Sequence, residues 1–449
     1  MVRRGLLKFV CLLILPKCSM KITKFFSILI LLVFTCQTGW GQTPTIKATL
    51  TNEEKLFGLA KLWSEAKYNF ANFDLTKINW DSTYKVFIPK ILATNTDEAY
   101  FKTLMQMMAL LKDGHSNVYY KPFFDYKKPP IKTKLIAGKV IVVEIYNDTL
   151  LTVNKLAVGD EILEVNRMNV IDFGKTSIAP YQSASTVQDL DMRIYTYGLL
   201  VGKPDEAVEV KIKKQDGAVF STSLSRKMTS NYKKQTYLLT ITKENIAHLK
   251  INDFENADYQ SLFDAIYLKI LPTKALIIDV RENGGGDDGQ GNYVLSHLID
   301  KTTYSSKSKT RNHVPTFKAW GQAEMWTEFE PDVIKPVEGK EKFLKPLVLL
   351  TGAKTYSAAE DFAVAYDNAG RGIKMGQTTG GSTGQPLFFD LPDGNFARIC
   401  TKKDYYPNGK QFVGIGIVPD VEVLETIQNI RDKRDAVLEK AVEYILTKF

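Results

Sequence analysis

From residue 240 onward, apolar segments of strand length recur with helix-length segments between them. This alternation limits the fold more than any other feature of the chain. IAHLKI (246–251) and ALIIDV (275–280) flank a helical stretch around 259–271, LVLLT (347–351) reads as a further strand, and Ala358–Ala369 reads as a helix. Strands that are apolar on both faces need cover on both, so the pattern predicts a layered α/β core. Two other textures precede it. Residues 51–125 carry helical periodicity, and residues 131–228 carry short strands. At roughly 100–200 residues per domain, a chain of 449 residues holds two to four domains. The expected organisation is a leader over 1–41, a helical domain over 45–128, a β-rich domain over 129–230, an α/β core over 235–430 and a terminal helix over 431–449.

Thr51 with Glu54 forms a capping-box pattern, and Leu56, Leu59, Trp63 and Phe70 follow at helical spacing. A second helix opens near Thr96 and puts Phe101, Leu104, Met105, Met108 and Leu111 on one face, which reads as core. It stops at KDGHSN, where Asp113 and Gly114 are end-of-helix residues. In the β-rich part, KVIVVEI is a continuous apolar run, and Val208, Val210 and Ile212 alternate with charged neighbours. LAVGDEILEVNRMNV lies between them, with Gly159–Asp160 as a turn feeding a strand. Residues 301–345 lack periodicity and read as a lid or a surface insertion.

The formal charge of +9 suggests a nucleic-acid partner until its distribution is read. Six basic residues (Arg3, Arg4, Lys8, Lys17, Lys21 and Lys24) fall within residues 1–41, which hold no acid, and the remainder carries only +3. A nucleic-acid partner is not expected. From Met20, the expected start, two lysines precede an apolar run from Phe25 to Phe34 and then small and polar residues. That is the order of a secretory signal peptide, with cleavage expected after Gly41. The run is short of the roughly 20 residues a spanning helix needs, so no stable membrane span is expected after cleavage. Cys36 echoes a lipid-attachment site only weakly. Cys11, Cys18 and Cys36 lie in or before the leader, and the mature chain keeps only Cys400, which has no partner in its own molecule. Export to a bacterial periplasm, envelope or medium is expected, with stability from core burial rather than disulfides.

Two strand-to-helix junctions are candidate sites. In DVRENGGGDDGQG a strand runs into Gly284, Gly285 and Gly286, where backbone N–H groups can approach a ligand with no Cβ in the way. That suits an oxyanion hole or an anion nest. No Gly-Lys-Ser/Thr follows, and Asp287 and Asp288 would repel phosphate, so a nucleotide loop is disfavoured. Glycines serving a tight turn are the plain alternative. In LVLLTGAKTYSAAEDFAVAY, Ser357 sits where a helix begins and Ala358 has an N–H free for an oxyanion. The plain alternative there is an N-cap serine. A serine nucleophile needs a base. His248 in an apolar strand and His297 in YVLSHLI read as packed, His313 lies in a basic loop, and His115 in LKDGHSN is the accessible imidazole.

Together these segments resemble the S41 serine peptidases, the family of carboxy-terminal processing and tricorn-type proteases, over about residues 51–425. LLKDGHSNV is similar to the family's Asp-Gly-His-Ser/Thr segment, LIIDVRENGGG to its glycine-rich strand end, TYSAAEDFA to its nucleophile segment and GIGIVPDVEV to its closing motif. LAVGDEILEVNRMNV resembles the carboxylate-binding loop and following strand of its PDZ-type domain. The resemblance implies a multidomain α/β chain with a PDZ-like domain and a crotonase-like peptidase core. It implies a secreted serine endopeptidase that forms an acyl-enzyme, with Ser357 as nucleophile. Gly285 or Gly286 and the Ala358 N–H would form the oxyanion hole. Ala157, Val158, Gly159 and Asp160 would bind the end of a peptide or unfolded protein with a free C-terminus. No metal or cofactor is implied, and the oligomeric state is open.

The family has two base arrangements. Its processing proteases use a lysine downstream of the serine, but here that stretch reads GQTTGGSTGQ, and Lys374 is the only lysine between Ser357 and residue 400. Its tricorn-type members use a histidine from the segment that His115 matches, and the resemblance places the base there, an acceptor with an ordinary pKa near 6.5. Two departures stand out. Gly114 replaces the serine expected before the histidine, and Val413 replaces a glutamate expected before the closing motif. Glu360, Asp361 and Asp404 are the candidate replacements for that support. A peptide-binding member without catalysis and a Ser–Lys peptidase using Lys374 or another lysine remain the alternatives.

Overall fold

The computed structural model describes residues 49–448; the leader, with Met20, Cys11, Cys18, Cys36 and the expected cleavage point, lies outside the described residues. The apolar runs become the middle of a six-stranded sheet. Its order is Val421–Glu422, Gly372–Gly376, Leu347–Thr351, Ala275–Asp279, Ile246–Ile251 and Tyr237–Ile241. All neighbours are parallel except the last pair. Every residue of Ala275–Asp279 and Leu347–Thr351 is buried. Alternate side chains explain why. Leu276, Ile278, Leu347 and Leu349 face a core shared with the helices Tyr259–Ile270, Asp288–Ser296 and Ala358–Ala369. Ala275, Ile277, Val348 and Leu350 face Val437, Ala441 and Ile445 of the terminal helix Ala436–Lys448. That helix therefore belongs to the core as its second covering layer.

The helical region does not close a core of its own. Thr51 and Glu54 make the expected reciprocal cap on Asn52–Asn69, and Thr96 caps Asp97–Ala109. Between them lies a helix the sequence reading lacked, Trp80–Leu92, capped by Asn79 and carrying Pro89 near its end. These helices pack with Phe389, Leu391, Ala397, Ile399 and Cys400 from the far end of the chain. The strand Asn117–Tyr119 also pairs with Phe396–Cys400. The expected boundary at 128 thus crosses one continuous core, and the described residues from Thr49 onward form one compact unit.

The β-rich part is an antiparallel sheet ordered Ile131–Ile136, Lys139–Ile145, Glu161–Val165, Val208–Lys213 and Val219–Leu224. Val208, Val210 and Ile212 are all buried, as their alternation predicts, in a core with Ile194, Tyr195 and Leu199 from the helical segment below. Residues 301–345 hold a hairpin the sequence reading missed. Lys307–Asn312 pairs with Met325–Phe329 and, on its other side, with Lys402–Tyr405. Among the described residues no helix is long and apolar enough to cross a membrane.

Candidate active site

Ser357 stands at the turn between the buried strand Leu347–Thr351 and the helix Ala358–Ala369. Its backbone is held at φ 55° and ψ −129°, a region a non-glycine residue adopts at a cost of about 1–3 kcal/mol. The plain N-cap alternative fails here, because the Ser357 side chain makes no capping hydrogen bond. Instead Ser357 Oγ lies 3.1 Å from His115 Nε2.

His115 reaches that point through a tight loop. The Asp113 carboxylate accepts from the His115 N–H at 3.0 Å and from the Ser116 hydroxyl at 2.8 Å. The other ring nitrogen, Nδ1, lies 2.9 Å from Ser382 Oγ. With the proton assigned to Nδ1, the ring donates to Ser382 and leaves Nε2 to accept the Ser357 hydroxyl. The ring is only 6% exposed. Burial, assisted by the positive charges of Arg398, Arg193 and Lys402, pushes its pKa down to about 3 rather than leaving it near 6.5. The imidazole is therefore neutral, and able to accept a proton, well below neutral pH.

Ser382 had no signal in the sequence beyond lying where the lysine of the other arrangement falls. Its loop is fixed from beneath by Glu360. That buried carboxylate accepts from the N–H groups of Gly381 (2.8 Å) and Ser382 (2.7 Å) and from the Thr379 hydroxyl. Burial pushes Glu360 up to about 8 against the pull of those donors. The Ser382 carbonyl in turn accepts from the Ser357 N–H at 2.9 Å. Of the three acids put forward to support His115, only Glu360 connects to it, and through Ser382. Asp361 accepts from Ser306 and Thr383, and Asp404 sits 3.0 Å from Lys402 Nζ. Neither of these two touches the imidazole.

The departure at Gly114 has a steric cause. A Cβ on Gly114 would sit 1.6 Å from the Tyr356 hydroxyl, so the tyrosine occupies the space a serine side chain would need. Val413 is buried in the central core.

Across from the hydroxyl, Gly285 and Gly286 have φ of 98° and 137°. A Cβ on Gly285 would meet Ser357 Cβ at 2.7 Å and the Tyr356 carbonyl at 2.8 Å, so only glycine admits this approach. The Gly285 N–H donates to Asn283 Oδ1 at 2.8 Å. Among the described hydrogen bonds the N–H groups of Gly286 and Ala358 have no acceptor.

The remaining candidates lie elsewhere. Lys374 is buried in its strand with its ammonium on Asp367 and Asp420, which takes Lys374 out of the Ser–Lys alternative. His248 is buried against Asp279, His297 is buried in a ring of aromatics, and His313 is exposed. In the loop expected to bind a chain end, the Ala157 N–H donates to Asp160 Oδ2, that of Gly159 to Val142 O and that of Asp160 to Ala157 O. Arg431 lies against Gly159. Of the four residues put forward there, three have their amides engaged within the protein, which leaves that of Val158. Among the described residues no group of three or more His, Cys, Asp or Glu side chains is arranged to hold a metal.

A serine hydroxyl paired with a buried imidazole at a strained strand-to-helix turn defines a nucleophilic-serine type of site on an α/β fold. Part of the chain matches peptidase family S41. Residues 245–423 match the model of that family and residues 52–109 that of the tricorn protease C1 domain. It is 26% identical over 225 residues to the carboxy-terminal processing protease CtpA of Bacillus subtilis, covering 50% of this chain and 44% of that one. It is 24% identical over 281 residues to the chloroplastic carboxyl-terminal-processing peptidase 1 of Arabidopsis thaliana, covering 61% and 50%. The chain spans about half the length of these curated relatives. Among solved structures, mature CPAF in complex with lactacystin is similar with a TM-score of 0.70 at 15% identity, covering 88% of this chain and 98% of that one. The photosystem II D1 C-terminal processing protease gives 0.51 at 17%, covering 83% and 94%. At these identities the structures speak to the fold alone.

Proposed function

We propose that this protein is a serine endopeptidase of the exported compartment, acting on peptides or unfolded proteins with a free C-terminus. The observation that carries the reading is the 3.1 Å contact between His115 Nε2 and Ser357 Oγ. As Ser357 Oγ attacks the scissile carbonyl carbon, its proton passes to His115 Nε2. The developing oxyanion is held by the N–H groups of Ala358 and Gly286, with Gly285 clearing the approach. The imidazolium then protonates the leaving amine as the C–N bond breaks, and water hydrolyses the acyl-enzyme by the same route in reverse. Ser382 orients the ring at Nδ1, and Glu360 holds Ser382.

The leader pattern supports export, and the processing proteases among the relatives support a protein substrate. On this reading the core is crotonase-like and the antiparallel module is PDZ-like. Among the described residues Ile131–Ile136 is an edge strand of that module's sheet, the position at which an incoming strand would add. That strand borders a cavity of about 660 Å³ lined by Lys134, Leu135, Met192 and Lys354. Such a groove suits strand addition better than the self-bonded loop at Ala157–Asp160. The test is cleavage of an unstructured peptide together with fluorophosphonate labelling. Ser357→Ala abolishes both while the protein still folds. Retained turnover in that variant moves the nucleophile elsewhere, and an unreactive wild-type serine returns the protein to the peptide-binding class.

A further inference from the structure

The imidazole is held at its two nitrogens, but a ring needs a third constraint to fix its plane. The Tyr356 ring supplies one. It stacks on His115 with centroids 5.3 Å apart and planes 13° from parallel. Two glycines make room for it. A Cβ on Gly114 would strike the phenol oxygen, and one on Gly380 would lie 2.4 Å from Tyr356 Cδ2. The hydroxyl is anchored in turn, accepting from Arg193 Nη2 at 3.0 Å and donating to Asp189 Oδ2 at 3.3 Å. Arg193 Nε pairs with Asp189 Oδ1 at 2.8 Å, and its Nη2 also donates to the Gly114 carbonyl at 3.2 Å. The same segment holds the histidine loop a second time, through Ser185 Oγ to the Gly114 N–H at 3.0 Å. Asp189 is buried with a side chain 6% exposed, and Arg193 is 19% exposed, so the ion pair is largely shielded from solvent.

We propose that Tyr356, clamped at its hydroxyl by Arg193 and Asp189, is the positioning residue that sets the plane of the His115 ring. This rests on the reading of His115 as the base. Tyr356 directly precedes Ser357, so one backbone turn presents the hydroxyl and covers the imidazole that takes its proton. Arg193 and Asp189 come from the helical segment under the antiparallel sheet of residues 131–224. Any shift of that module against the core therefore strains both the phenol clamp and the Gly114 carbonyl contact. The base is aligned only while the module is seated.

The experiment uses the mature chain with Tyr356→Phe, which keeps the ring and removes its anchor, and Tyr356→Leu, which removes the stack. Steady-state cleavage of an unstructured peptide is measured with the fluorophosphonate labelling rate, well below the melting temperature. Tyr356→Phe lowers kcat and the labelling rate about tenfold and Tyr356→Leu about a hundredfold, both with KM within about twofold of wild type. The paired variant Arg193→Met/Asp189→Asn removes both partners of the phenol hydroxyl and lowers kcat at least as far as Tyr356→Phe, with little further loss when Tyr356→Phe is added, which an independent loss of packing would not show. Wild-type kcat in Tyr356→Phe, or a loss confined to KM in either variant, overturns the proposal. Should Tyr356→Leu fail to fold, Tyr356→Phe decides alone. Turnover that survives Ser357→Ala would instead remove the reading of the site itself, whatever Tyr356 does.

Discussion

Replacing Ser382 by alanine is the sharpest probe of how the base is held. The substitution removes one oxygen and leaves the backbone of residue 382 as it is. The Glu360 carboxylate still accepts from its N–H, and its carbonyl still accepts from Ser357. The loss is confined to the 2.9 Å contact at His115 Nδ1. In the ground state the imidazole is neutral and the contact is an ordinary hydrogen bond, so stability should fall by about 1 kcal/mol. In the transition state the ring carries a positive charge. A hydrogen bond from a charged donor is worth about 1.5–3 kcal/mol, and the excess of about 0.5–2 kcal/mol over the ground state predicts a fall in kcat of about 2- to 30-fold with KM little changed. Steady-state cleavage of an unstructured peptide, with a thermal melt as control, reads both quantities. A kcat within twofold of wild type in a folded Ser382→Ala protein would show that Nδ1 needs no partner, and the support scheme drawn through Ser382 and Glu360 would fall.

Gly285→Ala brings a Cβ to 2.7 Å from Ser357 Cβ at a φ of 98°; we expect labelling of Ser357 to drop at least about a hundredfold, and normal labelling would clear Gly285 of any role. Lys374→Met strands the Asp367 and Asp420 carboxylates and should lower the melting temperature while Ser357 remains reactive toward fluorophosphonate, whereas a folded but unreactive variant would revive the lysine as base. The folded pKa of His115 is depressed, to about 3 from 6.5. Its contribution to stability is therefore complete above about pH 6.5 and is lost as pH falls toward 3. The stability gap between wild type and His115→Gln, followed by chemical denaturation, should shrink over that window, and a gap independent of pH would contradict the buried neutral ring. Glu360 shifts the opposite way, up to about 8. Its neutral form favours the fold at low pH, and that contribution fades as pH rises through 8. Glu360→Gln should flatten the stability curve between about pH 4.5 and 8, and an unchanged curve would argue that the carboxylate is already ionised.

What the sequence made legible is what periodicity and capping encode. The helix Ala358–Ala369, the buried strands Ala275–Asp279 and Leu347–Thr351, and the cap at Thr51 were all readable, because each is written in consecutive residues. Trp80–Leu92 escaped because Pro89 argues against a helix, yet it sits in the last turn and does not disrupt the first. The hairpin over Lys307–Phe329 escaped because its strands are mostly polar and partly exposed, with little alternation to read. At the site, the pairing of His115 with Ser357 followed from the order of motifs, whereas Ser382 and Tyr356 did not. Ser382 acts from an irregular loop whose shape is imposed by a buried glutamate 22 residues earlier. Tyr356 carries no signal in the sequence beyond being an aromatic beside a serine. Its role appears only when its hydroxyl is seen to fill the space above Gly114.

The reacting pair spans 242 residues, and the early helices share their interior with the strand Phe396–Cys400. A chain still emerging from its synthesis carries the imidazole long before the hydroxyl, and lacks the late strand that seats the early helices. Nothing hydrolytic can be assembled until the last third of the polypeptide has been made and folded back onto the first. Late closure of this kind leaves a nascent chain without an assembled site while neighbouring copies are still unfolded.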